Sequence, residues 1–183
     1  VFVFLLDRVY NLIIMIVLTM SQYSVFISLL LAVVFGAILG IERNLAGKGA
    51  GTRTYALVSL GSALFVNISR LVIAQSVDSL NFDPLRMASQ IIVGIGFIGA
   101  GLVVLRGGHL TGVTTAAGLW VSAGVGTACG FELYSLALFT TGLALFIFTV
   151  LWLFERYYVR YKLAKMLGRK TITPTEAHEM PTK

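Results

Sequence analysis

From Asp83 to Gly101 the chain reads Asp-Pro-Leu-Arg-Met-Ala-Ser-Gln and then Ile-Ile-Val-Gly-Ile-Gly-Phe-Ile-Gly-Ala-Gly. A polar opening with one carboxylate, one guanidinium and one amide leads without a break into an apolar run. That run is long enough to cross a hydrocarbon core of about 30 Å. Inside a bilayer the backbone must satisfy its own hydrogen bonds, so such a run is a helix. Its glycines make one surface smooth enough for close helix packing. The chain as a whole is 57% hydrophobic and 12% charged, against about 25% charged in soluble domains. Both observations point to an integral membrane protein of the all-α class.

Four further apolar segments can be read around this one. Tyr23 to Ile41 ends at Glu42-Arg43, and within it Ser28, Ala32, Gly36 and Gly40 recur every fourth residue. They therefore share one helical face on which another backbone can lie closely. Tyr55 to about Ala74 follows, with Asn67 and Arg70 towards its far end. Arg70 reads as snorkelling to the interface, although an intramembrane ionisable group is also a site hypothesis. The fourth span runs from about Leu110 to Phe131 and repeats Gly118, Ser122, Gly126 and Gly130 at the same spacing. Leu133 to Phe154 makes the fifth.

The expected fold is a bundle of five transmembrane helices packed tightly through glycine, with packing positions at Gly36, Gly40, Gly94, Gly96, Gly99, Gly101, Gly118, Ser122, Gly126 and Gly130. Residues 1–22 are an apolar segment that reads as a peripheral or sixth helix, or as sequence upstream of the biological start. Residues 23–155 form the membrane domain. Residues 156–183 read as a basic, aromatic juxtamembrane helix followed by a disordered tail, and the basic part suits anionic lipid headgroups.

Several familiar chemistries are excluded by spacing. Gly94-Ile95-Gly96-Phe97-Ile98-Gly99 spells the dinucleotide fingerprint but lies inside an apolar span, where no strand precedes it. The loop Gly47-Lys48-Gly49-Ala50-Gly51-Thr52-Arg53 lacks the first glycine of a phosphate loop, and its lysine is followed by glycine. It reads as a tight basic turn. Cys129 is the single cysteine, and His109 and His178 have no ligand spacing around them, so no cysteine or histidine metal cluster is expected. The net charge of +6 gathers near the C-terminus and describes loops and a tail rather than a nucleic-acid surface. No nucleophile, base and oxyanion set suggests an enzyme.

Two polar clusters remain. Glu42, Arg43 and Arg53 fall at one membrane face. Asp83, Arg86 and Gln90 fall at the other, spaced i, i+3 and i+7 so that they share a helical face. Ion pairing and helix capping at the interface would explain both clusters, and a functional site is the alternative. Asp83-Pro84 is in any case a strong helix start. With five spans, Arg43, Lys48, Arg53, Arg106 and the basic tail lie on one side, which the positive-inside rule makes the cytoplasm. The C-terminus is then cytoplasmic and the Asp83 loop external.

Three blocks in order carry a resemblance. They are Gly36 to Arg43 followed by Ala50 to Val58, Arg86 to Gly101, and Gly112 to Trp120. On these the chain resembles the MgtC/SapB family of bacterial inner-membrane proteins over roughly residues 25 to 155. The resemblance implies a five-span domain tied to magnesium homeostasis, survival at low magnesium and, in some pathogens, growth inside host cells and virulence. Family members are often labelled magnesium transporters, and the resemblance also implies regulation of other membrane machinery such as an ATPase or ATP synthase subunit.

Magnesium takes octahedral oxygen ligands, yet Glu42, Asp83 and Glu132 all fall at span ends. The expectation is a regulator that associates with itself or with another membrane protein, the alternative being a magnesium transporter or channel subunit. No resident cofactor is expected. If magnesium binds directly, Asp83 is the best candidate ligand.

Overall fold

The computed structural model describes residues 2–75, 83, 85–154 and 157–158, with side chains from residue 22 onward except those of Gln75 and Arg106. The chain divides into two compact units, Val1–Ala144 and Leu145–Lys183. The basic, aromatic segment expected over residues 156–183 falls almost wholly outside the described residues.

The elements run α1 (Phe2–Leu45), α2 (Thr52–Gln75), α3 (Leu85–Leu102), β1 (Val104–Arg106), β2 (His109–Thr111), α4 (Val113–Gly130) and α5 (Tyr134–Phe146). The five helices form a packed bundle. Four stretches are long and apolar enough to cross a membrane: Gln22–Leu45, Thr52–Ala74, Leu85–Leu102 and Tyr134–Phe154. The fifth helix, α4, has 18 residues, about 27 Å at 1.5 Å per residue. It carries threonine, serine and glycine where a lipid-facing helix carries leucine, because most of its surface meets other helices.

Close approach organises the bundle. Ser59 of α2 sits between two glycines: a Cβ added at Gly36 of α1 would lie 2.7 Å from the Ser59 Cβ, and one added at Gly126 of α4 would run into the Ser59 carbonyl oxygen. One turn along α1, a Cβ at Gly40 would lie 2.5 Å from the Thr52 Cα. At the other end of the seam, a Cβ at Gly130 would lie 2.6 Å from the Val66 Cβ. Side-chain hydrogen bonds cross the same contacts. Asn67 Nδ2 donates to Ser28 Oγ at 2.7 Å, joining α2 to α1. Ser122 Oγ donates to the Tyr55 carbonyl at 2.9 Å, and the Tyr55 hydroxyl donates to the Thr115 carbonyl at 3.2 Å, joining α2 and α4 at two levels. Apolar burial gives little drive between helices in lipid, so close packing and such bonds carry the association.

The spacing-four residues of α1 and α4 are all buried, as expected. The glycine-dense α3 departs from the expectation. Among the described residues only Gly99 meets a neighbour, the Ala116 Cβ of α4, at 3.6 Å; at Gly94, Gly96 and Gly101 an added Cβ would meet none of them within 4 Å. Glycine spacing predicts a smooth surface, and it does not say that the surface is covered from within the chain.

Two boundaries also move. Residues 2–22 run directly into the first span, since α1 is continuous from Phe2 to Leu45. The fourth span starts at Val113 rather than Leu110, because residues 104–111 fold into a two-stranded antiparallel hairpin with Arg106 opposite His109. Its two-residue turn, Gly107-Gly108, has φ of 56° and 80°. Positive φ at both central positions is the type I′ geometry that two-residue hairpins favour. The second unit contains a π-helical turn, Ile147–Leu151, in which Phe148 is buried.

Candidate functional site

Both ends of the bundle are built on the same helix-ending device. At the end of α1, the Lys48 N–H donates to the Arg43 carbonyl and the Gly47 N–H to the Asn44 carbonyl, with Gly47 at φ 66°. At the end of α4, the Leu133 N–H donates to the Ala128 carbonyl and the Glu132 N–H to the Cys129 carbonyl, with Glu132 at φ 63°. Both are Schellman turns, whose left-handed residue is usually glycine. Glu132 occupies it against a cost of about 1–2 kcal/mol for a residue bearing a Cβ.

What the carboxylate gains there is a partner on α2. Arg70 Nη2 lies 2.8 Å from Glu132 Oε1, and Arg70 Nη1 donates to the Gly130 carbonyl at 2.7 Å. Gly130 is the last residue of α4, so Arg70 takes a carbonyl that the helix leaves without an internal partner. Arg70 therefore does not snorkel as the sequence suggests; it is spent on α4. The Arg70 hydrogen bond, and after it one from Ser24 of α1, hold the Glu132 carboxyl below its ordinary pKa of 4.5. Ser24, Arg70 and Glu132 thus join α1, α2 and α4 at one membrane face. A sequence signal for this exists: two opposite charges, at the end of the second helix and the end of the fourth, must emerge on the same side of the bilayer.

At the opposite face, Glu42 and Arg43 form a two-pronged pair. Arg43 Nε reaches Glu42 Oε2 at 2.6 Å and Nη2 reaches Oε1 at 3.0 Å. Arg43 is only 3% exposed, and a buried guanidinium is tolerable because its carboxylate is beside it. Arg53, the third member expected of this cluster, is exposed on the first turn of α2 and stands outside the pair.

The other predicted cluster is looser. The Asp83 carboxylate accepts the Leu85 N–H at 2.9 Å, and the Arg86 N–H donates to the Asp83 carbonyl. Asp83 thus caps α3 as its spacing predicts. Asp83, Arg86 and Gln90 are all exposed, and no ion pair joins Asp83 to Arg86 among the described residues. Among those residues no three of His, Cys, Asp or Glu converge on a point.

Between α2 and α3 lies a groove of about 630 Å³. Leu57, Gly61 and Phe65 line one wall, and Gln90, Gly94 and Ile98 the other. It is the open side of the glycine-dense helix, and sequence reasoning gave no sign of it.

The sequence matches the model described as the MgtC family over residues 29–157. It is 40% identical over 126 residues to an Escherichia coli K12 protein named "Putative magnesium transporter YhiD", covering 68% of this chain and 59% of that one. It is 42% identical over 122 residues to Protein MgtC of Salmonella typhimurium strain 14028s, covering 67% of this chain and 50% of the relative. Protein MgtC of Brucella abortus is 44% identical over 110 residues, 60% of this chain and 44% of the relative. The chain thus spans about half the length of the curated relatives it matches. No solved structure matches it. A helical membrane bundle, three ordered sequence blocks and a family match across most of the chain agree, and this bacterial membrane protein belongs to the MgtC family.

Proposed function

We propose that the chain is a membrane-embedded regulator in magnesium homeostasis and adaptation to low magnesium, acting by association with other membrane proteins, with its C-terminus in the cytoplasm. The magnesium link comes from the name carried by the YhiD relative. The observation that carries the regulatory part is what the described span-end carboxylates bond to. Glu42 is held by Arg43, Glu132 by Arg70, and Asp83 by the start of its own helix. A cation path needs oxygen ligands free to replace hydration waters, whereas each of these three carboxylates already has at least one oxygen engaged by a group of the protein. The exposed Gly96 surface of α3, which the groove between α2 and α3 does not include, supports association instead.

The second reading is a magnesium carrier or channel subunit, favoured by that same relative's name. Purified protein in liposomes loaded with a magnesium-sensitive dye separates the two. No influx above empty liposomes, from protein shown to be folded, is expected. Influx that scales with protein and is lost in Asp83→Ala would replace the regulator with a carrier. A fluorescent protein fused after Lys183 should be bright, because that fold forms poorly outside the cytoplasm.

A further inference from the structure

Gly61 and Gly94 face the groove between α2 and α3, and an added Cβ would meet nothing within 4 Å at either. Glycine inside a helix costs about 1 kcal/mol relative to alanine. At Gly36, Gly126 and Gly130 that cost is repaid by a neighbouring helix of the chain. At Gly61 and Gly94 nothing among the described residues fills the space an added Cβ would take, which leaves the trough open to an occupant.

The dimensions say what fits. On α2 the groove runs from Thr54 to Phe65, about 16 Å at 1.5 Å per residue. That is about one leaflet of a 30 Å hydrocarbon core, long enough for an acyl chain and too short to seat a helix that crosses the bilayer. Its volume lies within the range of about 300–1,000 Å³ typical of small-ligand sites. The wall is nearly all apolar, and Ser62 turns its hydroxyl back to the Val58 carbonyl. At the groove's end near the membrane surface Thr54 is adjacent to Arg53, which is exposed and lies one turn before the lining residue Leu57. Lys48 is exposed in the preceding loop. An apolar trough one leaflet deep with cationic groups at its mouth matches a lipid with a negative headgroup.

We propose that this groove seats one anionic phospholipid, its acyl chain against Gly61 and Gly94 and its phosphate beside Arg53. The site would be the same whether the protein regulates or carries, so its failure leaves the proposed function untouched. It also does not depend on which leaflet Arg53 faces.

The test uses the full chain, purified in detergent and offered phosphatidylglycerol or phosphatidylcholine of identical chains, with bound lipid counted by native mass spectrometry. One phosphatidylglycerol per chain is expected to survive detergent exchange. Arg53→Gln should weaken its retention about fivefold, the effect of about 1 kcal/mol for one basic residue near a headgroup, and leave phosphatidylcholine unchanged. Gly61→Leu with Gly94→Leu should abolish retention by filling the trough. Should that pair misfold, Gly61→Ala with Gly94→Ala narrows the same trough while adding better helix formers, and should still reduce retention. Equal retention of both lipids with no effect of Arg53→Gln would overturn the proposal, as would phosphatidylglycerol persisting in the folded leucine variant. A lipid-free dimer that the leucine pair dissolves would also overturn it, and would assign the groove to a second copy of the chain.

Discussion

Replacing Glu132 by glycine sets two effects of known sign against each other. The backbone at φ 63° costs a residue bearing a Cβ about 1–2 kcal/mol, which glycine recovers. The lost partner is an ion pair in which both side chains are 35% exposed, and such pairs are worth about 0.2–1 kcal/mol. Glycine also gives up the Ser24 hydrogen bond, worth about 0.5–1.5 kcal/mol, so Glu132→Gly should fall within about 1.5 kcal/mol of wild type. Glu132→Gln keeps the strained backbone and loses the charge, so it should destabilise by up to about 1 kcal/mol. Arg70→Met leaves the Gly130 carbonyl without its donor and the carboxylate with Ser24 alone, and should cost about 1–3 kcal/mol.

Cys129 offers the assay. It is the single cysteine, it is buried, and it lies in the last turn of α4. Thermal unfolding in detergent, followed by a dye that fluoresces on reaction with a thiol, should rank the melting temperatures Arg70→Met, Glu132→Gln and wild type from lowest to highest, with Glu132→Gly close to wild type. A Glu132→Gly protein melting well below Glu132→Gln would refute the reasoning, because the carboxylate would then hold more than the backbone strain costs.

The same carboxylate sets a pH dependence. Its folded pKa is depressed by Arg70 first and Ser24 second. Its contribution is therefore fully present above the ordinary value of 4.5 and is lost as pH falls below that towards the depressed folded value. Melting temperature should show this loss in wild type and not in Glu132→Gln, while neutral pH leaves it intact. Gly126→Ala drives a methyl into the Ser59 carbonyl of α2 and should lower stability by about 1–3 kcal/mol, whereas Gly96→Ala, in open space, should be neutral or mildly stabilising in the same melt. The Ser59 hydroxyl is buried with no partner among the described residues, so Ser59→Ala should be tolerated or slightly stabilising. Asp83→Asn should preserve the start of α3, since asparagine caps as well, while Asp83→Ala should cost about 1 kcal/mol.

The apolar runs and the spacing-four glycines of α1 and α4 were legible in the sequence because span length and helical period are local properties. The residues that α1 and α4 turn inward could be read before any partner was known. What could not be read was which glycine faces the chain and which faces outward. Gly99 and Gly96 are three residues apart in one apolar run, and only tertiary placement separates them. The hairpin escaped because three-residue strands are too short to show alternation. Arg70 was visible as a charge near a span end, but its contacts with Gly130 and Glu132 lie 60 and 62 residues away. Capping accounts for Asp83, as its place before Pro84 suggested, and no ion pair joins it to Arg86 among the described residues.

The composition of α4 bears on how the molecule is made. A segment inserted by partitioning into lipid must be apolar on its own account, and Thr114, Thr115, Ser122 and Thr127 together with its glycines dilute α4 in that respect. Its place in the bilayer rests on α1 and α2, which leave the ribosome first and already present the seam it fits. Order of synthesis is thus part of the specification. A permuted chain in which α4 is translated before α2 should leave that segment outside the membrane, even though every residue of the bundle is present.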